Sequence, residues 1–158
     1  MAPNWLIPTA IVAATVVLME LVAAAVHRFV MHGPGWGWHR SHHEPRSGRL
    51  ERNDLYALVF AGISILLFLI GERWPLLWWV GLGLVAYGLF YALLHDGLVH
   101  RRLPVGITPR RGYLKRLVQA HRLHHAVTER DGAVSFGFLY APPVATLIRR
   151  LRSNRASR

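Results

Sequence analysis

The chain has 158 residues, of which 53% are hydrophobic, and it carries a formal net charge of +11 with no cysteine. This composition is too apolar for an ordinary soluble domain, and it predicts a single integral membrane domain over residues 1–158. The lack of cysteine excludes disulfides, redox thiols and an iron–sulfur cluster of the chain's own.

Three long apolar runs, at about residues 5–26, 55–71 and 74–94, are predicted to cross the membrane as helices. At about 1.5 Å of rise per residue, each run is long enough, or nearly so, for a hydrocarbon core of roughly 30 Å. The first run differs from a cleaved secretory signal, because no Lys or Arg precedes it and it is longer than a usual signal core. The predicted fold class is therefore an all-α helical bundle in the membrane.

The basic residues predict how these spans are oriented. Five lie between the first and second spans and thirteen follow the third, whereas the turn between the second and third holds only Arg73. The positive-inside rule then places the 27–54 loop and the C-terminal segment in the cytoplasm, with the N-terminus and the 71–74 turn outside the inner membrane. We expect the basic tail, residues 146–158, to lie against anionic headgroups. Because one membrane face accounts for nearly all of the positive charge, no nucleic-acid partner is expected.

The ten histidines follow one pattern that occurs twice, H-x4-H and then H-x2-H-H. The two copies are His27, His32, His39, His42 and His43, and then His95, His100, His121, His124 and His125. The copies begin where the first and third spans end, so both emerge on the cytoplasmic face and can meet there. Ten imidazoles exceed what one ion can bind, and two ions with about five nitrogens each would use them all. The sequence therefore predicts a dinuclear metal site.

Spacing gives different expectations for the two halves of the pattern. In H-x2-H-H the histidines at i, i+3 and i+4 share a helix face and are expected to converge on one metal. In H-x4-H the residues differ by roughly 140° around an ideal helix, so either the second histidine lies where the helix distorts or ends, or the two histidines serve different metals. Gly33-Pro34-Gly35 supports such an end after His32, and Pro104 supports one more weakly after His100.

Carboxylates are expected to orient the metal-binding imidazoles through the other ring nitrogen. The candidates near histidines in the sequence are Glu44, Asp54, Asp96, Glu129 and Asp131. Glu20 is a further candidate because an acid inside a span is costly, and its partner is expected on another helix. Among the other residues, Trp36 and Trp38 are interpreted as interface anchors, and Ala57, Ala61, Gly88 and Ala92 as close helix-packing contacts.

Several longer motifs carry a family resemblance. They are H-R-F-V-M-H-G-P-G-W-G-W-H-R-S-H-H-E-P, N-D-L-Y-A, H-D-G-L-V-H, P-R-R-G-Y-L-K-R-L, A-H-R-L-H-H-A and D-G-A-V-S-F-G-F-L-Y-A-P-P. Over about residues 16–145 the chain resembles the bacterial β-carotene 3-hydroxylases, in the fatty acid hydroxylase superfamily of membrane di-iron oxygenases. The resemblance implies two iron ions held by all ten histidines. It also implies use of O2 and two electrons to hydroxylate C3 of a β-ionone ring, from β-carotene through β-cryptoxanthin to zeaxanthin. Related members also convert canthaxanthin to astaxanthin.

The chemistry of such a reaction defines the expected cofactors and partners. Hydroxylation of an unactivated C–H bond needs a redox-active metal such as iron, and zinc is not redox-active. Zinc is nevertheless expected to substitute for iron in overexpressed protein. Electrons are expected from a separate ferredoxin and its reductase, whose acidic surface would suit a basic partner. The lipophilic carotenoid would present its ring from the bilayer.

Other functions remain compatible with the pattern. A sterol or fatty acid hydroxylase, a desaturase or a ketolase would need the same kind of metal site. A membrane metal transporter is disfavoured, because such proteins need polar ligands at mid-membrane and only Glu20 lies inside a span.

Overall fold

The computed structural model describes residues 5–45, 48 and 50–157. Arg46 and Arg49 of the first loop, and Arg158 at the end of the tail, lie outside the described residues. The described part of the chain contains helices and connecting segments without a strand, which confirms the all-α prediction. In chain order the elements are α1 (Leu6–Ala25) with the π-helical segment π1 (Val26–Met31), α2 (Trp36–His43), α3 (Asp54–Gly71), α4 (Pro75–Tyr91) with π2 (Ala92–Val99), α5 (Gly112–His124) and α6 (Val144–Ala156).

Three helices are long and apolar enough to cross a membrane, as predicted. They are Leu6–Met31, Asp54–Gly71 and Pro75–Val99, so the first and third continue past the predicted ends at residues 26 and 94. Helix α4 packs against both α1 and α3. Small residues allow this close approach, since a Cβ added at Gly83 would lie 2.5 Å from the Thr15 Cβ.

The H-x4-H pairs coincide with the two π-helical segments. The His32 N–H donates to the His27 carbonyl at 3.0 Å, and the His100 N–H donates to the His95 carbonyl at 2.9 Å. These i→i+5 bonds place the two histidines of each pair about one turn apart on the same side of the helix. The expected distortion is therefore confirmed, and it brings the two histidines of each pair to the same side of their helix.

The C-terminal segment differs from the expected basic tail. It forms α6, which packs on α5 and buries Leu147 completely. Asn154 donates to the Gly132 carbonyl at 3.0 Å, and Arg155 donates to the Ala126 carbonyl at 3.0 Å. The leucines on one side of α6 pack on an apolar surface that includes α5. The segment therefore supports the loop after α5, although its sequence is basic.

Candidate metal centre

All ten histidines lie in the described part of the chain, and they gather into one cluster where α1 and α4 end. One group offers five ligand nitrogens within 4.8 Å of one another, from His27, His32, His39, His43 and His124. The second group comprises His42, His100, His121 and His125. His95 extends this second group, since its Nε2 lies 3.0 Å from the Nε2 of His42. We call these groups site A and site B.

Each H-x2-H-H motif divides between the two sites, which corrects the expectation that its three histidines converge on one metal. His39 and His43, which are four residues apart, both belong to site A, whereas His42 between them belongs to site B. The second motif has the opposite arrangement, with His124 in site A. The physical reason is that positions i+3 and i+4 diverge on opposite sides of position i, and here one of the two histidine groups lies on each side.

The outer ring nitrogens show which nitrogen of each imidazole faces the cluster. Seven of the ten Nδ1 atoms lie 2.6–3.0 Å from an oxygen that can only accept a hydrogen bond. Nδ1 must therefore carry the proton in these rings, and Nε2 carries a lone pair. The Nε2 atoms of His27 and His39 nevertheless lie 3.1 Å apart, and those of His32 and His124 3.2 Å apart. Two lone pairs at this distance repel each other unless a cation lies between them.

The separations also indicate how many ligands each ion would take. Two nitrogens at about 2.1 Å from one ion are roughly 3.0 Å apart at a right angle and roughly 3.4 Å apart in a tetrahedron. Seven Nε2 pairs in the cluster are 2.9–3.2 Å apart, which is nearer to the right-angle separation than to the tetrahedral one. The donor set therefore fits an ion with five or six ligands better than a tetrahedral one.

Burial keeps the imidazoles neutral. It lowers the pKa of His39 to about 3 and that of His43 to about 4, with loss of hydration as the largest cause in both. Burial and the neighbouring His43 and His100 lower the pKa of His125 to about 2. Neutral imidazole is the form that binds metal, so the rings need no deprotonation before binding.

The two sites differ in the groups that hold their imidazoles. In site A four Nδ1 atoms donate to backbone carbonyls and His39 donates to the side-chain oxygen of Asn53 at 2.7 Å. In site B, His42 donates to the Glu51 carboxylate at 2.8 Å and His95 to the Asp96 carboxylate at 2.8 Å. A carboxylate makes the ligand more basic than a carbonyl does, so site B is the more electron-rich of the two.

The carboxylates that the sequence predicts as partners of the histidines have different contacts in the structure. Asp96 contacts a site histidine directly, as just described. Asp54 instead binds the Arg102 guanidinium at 2.6 and 2.7 Å and accepts the Glu51 backbone N–H at 2.9 Å. Glu44 pairs with Arg40 at 2.6 Å, and the exposed Asp131 pairs with Arg130 at 3.3 Å.

Glu51 and Asn53 are the contacts that sequence reasoning missed. They lie in an irregular loop, where spacing does not indicate which side chains meet. The available signal was their position immediately before α3, in the loop that leads back from α2.

Glu20 binds a loop, and its contacts are with that loop and Tyr87 rather than with a histidine. Its carboxylate accepts the backbone N–H groups of Phe138 at 2.9 Å, Leu139 at 3.0 Å and Tyr140 at 2.9 Å. The Tyr87 hydroxyl on α4 donates to it at 2.8 Å, which supplies the expected partner from another helix. A Cβ at Gly137 would collide with this carboxylate, so the loop needs glycine there.

The loop held by Glu20 contacts site A. The Phe136 carbonyl accepts from His27 Nδ1 at 2.9 Å, and the Phe138 ring stacks on the His27 ring with centroids 5.3 Å apart. Trp36 also borders site A, with its ring 5.2 Å from that of His32, rather than acting only as an interface anchor. Trp38 contacts Tyr56 and is 43% exposed, as expected of an anchor.

Two openings flank the cluster. A polar cleft of about 560 Å³ is bordered by His42, His43, His100 and His125, together with Arg122. On the other side an apolar groove of about 330 Å³ lies between α3 and α4. Ala57, Ala61, Gly88 and Ala92 all line this groove, and the interpretation as a close packing contact is wrong for Gly88. A Cβ at Gly88 would meet no atom within 4 Å.

Comparison with known proteins agrees with this geometry. Residues 12–142 match the fatty acid hydroxylase family. The chain is 62% identical over 139 residues to a beta-carotene hydroxylase of Paracoccus sp. (strain PC1), covering 87% of this chain and 86% of that protein. It is 56% identical over 156 residues to a beta-carotene hydroxylase of Pantoea ananas, covering 98% and 89%.

A plant relative is more distant. Beta-carotene 3-hydroxylase 1, chloroplastic, of Arabidopsis thaliana is 40% identical over 129 residues, covering 78% of this chain and 41% of the plant protein. No solved structure matches the chain. The ten clustered histidines and the match over residues 12–142 together identify the chain as a member of the fatty acid hydroxylase family.

Proposed function

We propose that this protein hydroxylates carotenoid β-ionone rings at C3, converting β-carotene through β-cryptoxanthin to zeaxanthin, and 4-keto rings in the same way. The observation that carries the proposal is the convergence of ten neutral imidazoles into two sites of five at one end of a membrane bundle. The similar bacterial proteins are named beta-carotene hydroxylases and are matched over most of their length. The activity is thus that of a hydroxylase in carotenoid biosynthesis.

Two iron ions are the proposed cofactors. Site A would hold one through His27, His32, His39, His43 and His124, and site B the other through His42, His95, His100, His121 and His125. Five nitrogen donors in each site exceed the four that zinc usually takes and would suit iron, although zinc can occupy imidazole sites. When bound, the iron pair would supply the redox chemistry by which O2 oxidises a C–H bond.

The protein's own residues orient the ligands and control access. Backbone carbonyls and Asn53 fix the rings of site A, and Glu51 and Asp96 fix two rings of site B. Burial of His39 and His124 keeps bulk water from the inner side of the cluster. The polar cleft beside His100 and His125 leaves the other side open to solvent, and we propose it as the route for O2 and protons.

Electrons would come from a ferredoxin and its reductase. The proposal rests on the chain's lack of cysteine and on its charge of +11, which suits an acidic donor. The polar cleft beside Arg122 brings solvent into contact with imidazoles of site B. We place this face in the cytoplasm and the three spans in the inner membrane, because the positive-inside rule puts basic loops on that side.

Expression in cells that accumulate β-carotene tests the function. Pigment analysis should show β-cryptoxanthin and zeaxanthin. Introduction of a double bond or a keto group instead would identify a desaturase or ketolase, and unchanged β-carotene beside a hydroxylated sterol or fatty acid would identify a different substrate class. Any of these results would overturn the proposal.

A further inference from the structure

Helices α3 and α4 touch near the turn that joins them and separate towards the histidines. Near the turn, a Cβ at Gly71 would lie 2.7 Å from the Trp78 Cβ, and one at Gly81 would lie 3.2 Å from Phe68. At the histidine end, a Cβ at Gly88 would meet nothing within 4 Å, and the groove of about 330 Å³ begins there. The groove therefore widens towards the metal centre.

Four of the five polar side chains that line this groove have a hydrogen-bond partner in the protein. The Tyr56 hydroxyl donates to the Gly35 carbonyl at 2.9 Å, and the Ser64 hydroxyl donates to the Phe60 carbonyl at 3.0 Å. Tyr87 donates to Glu20, and Asp96 accepts from His95. These walls therefore offer a ligand few hydrogen-bond donors. A carboxylate placed there would lose its hydration with little compensation, so the walls favour an uncharged, largely hydrocarbon ligand.

The wide end of the groove adjoins site B. The Tyr91 ring stacks on the His95 ring with centroids 4.4 Å apart, and the Asp96 carboxylate binds His95 Nδ1 at 2.8 Å. The groove thus ends against the outer edge of one metal-ligand candidate. A crevice on the opposite side of His95, next to Leu98 and Phe138, has about 20 Å³. That volume holds about one water molecule and is too small for a ring.

The groove also opens sideways along the spans. Ala61 on α3 and Gly88 on α4 both line it and are exposed on the surface that a bilayer would cover. A long apolar molecule dissolved in the membrane could therefore enter without crossing a polar surface.

We propose that this groove holds the hydrocarbon ring and the adjoining polyene of the substrate, and that Ala61 and Gly88 set its width. The inference rests on the proposed function and adds the place where the substrate is bound. It also gives a physical reason against a fatty acid, because the ionised carboxylate would lose its hydration between these walls.

The test narrows the groove from each side. Ala61→Leu and Gly88→Leu place a larger side chain in the groove, and Gly62→Leu is the matched control. Gly62 neighbours Ala61 on the same helix, but its Cβ would meet nothing within 4 Å and it lies outside the groove. Each variant is expressed with β-carotene in cells. Conversion, metal content of the purified protein, and co-purifying β-carotene by visible absorption are measured.

The proposal expects both groove variants to lose roughly tenfold or more in conversion and to retain less β-carotene, with the metal content of the wild type. Gly62→Leu should match the wild type. Groove variants as active as Gly62→Leu would overturn the proposal, whereas failure of the wild type to hydroxylate β-carotene would overturn the proposed function instead. If a leucine variant loses metal, the smaller substitutions Ala61→Val and Gly88→Ala test the proposal instead. Conversion should then fall as the side-chain volume increases, while the metal content stays constant.

Discussion

The Nε2 atoms of His42 and His95 lie 3.0 Å apart, although the two residues are 53 positions apart in the chain. His32 and His124 make the equivalent contact in site A at 3.2 Å across 92 positions. Each H-x2-H-H helix therefore contributes two histidines to one site and its middle histidine to the other. This exchange links the two sites, because neither helix can move without altering both.

Replacement of either exchanged histidine should abolish activity. In His42→Ala and His124→Ala a ligand nitrogen is lost from site B and site A respectively, and hydroxylation should fall by more than about a hundredfold. Membrane insertion should persist because it depends on the apolar spans. Pigment analysis and membrane yield provide the measurements, with the exposed Arg152→Ala on α6 as the control. Zeaxanthin formation at a comparable rate by either variant would refute its role as a ligand.

Glu51 should affect site B selectively. Glu51→Gln keeps the size of the side chain but removes the negative charge from the partner of His42 Nδ1. We expect metal affinity at one of the two sites to fall by about 10- to 100-fold. Dialysis against graded chelator, followed by metal analysis, should show one ion leaving early. Glu44→Gln alters a carboxylate that pairs with Arg40 and should release both ions as the wild type does. Equal release curves for the two variants would contradict the assignment.

Glu20 should stabilise the protein through the loop that it holds. Four donors converge on the two carboxylate oxygens of Glu20. In Glu20→Gln an amide group replaces one of these oxygens, and we expect a loss of roughly 1.5–3 kcal/mol in the free energy of unfolding. Thermal unfolding in detergent should show a Tm lowered by several degrees. Glu72→Gln, at the exposed turn after α3, is the matched control. Equal Tm values for these two variants would show that Glu20 does not stabilise the protein through this loop.

Orientation can be checked independently of activity. Reporter fusions in the 45–50 segment and at the C-terminus should both score cytoplasmic, and one in the 71–74 turn should score external. Opposite faces for the first two fusions would be incompatible with a single histidine cluster.

The sequence predicts the scaffold because its signals are local. Apolar runs define the three spans, and His27 and His95 follow two of them directly, so both histidine groups must emerge at one end. The distortion at the H-x4-H pairs also follows from local geometry, since i and i+5 do not align on an α-helix.

The remaining features depend on contacts distant in sequence. The assignment of His42 to site B and of His124 to site A depends on the position of the opposing helix. Residue spacing within one helix does not predict that position. The loop that contacts His27 through Phe136 lies 109 positions away and has no periodicity. The width of the groove at Gly88 depends on the angle between α3 and α4, and small residues are equally compatible with close packing.

Metal analysis of anaerobically purified protein tests the central claim, that ten histidines hold two redox-active ions, most directly. We expect about two metal ions per chain, with activity that rises in proportion to iron and not to zinc. Fully active protein with about one ion per chain would contradict it.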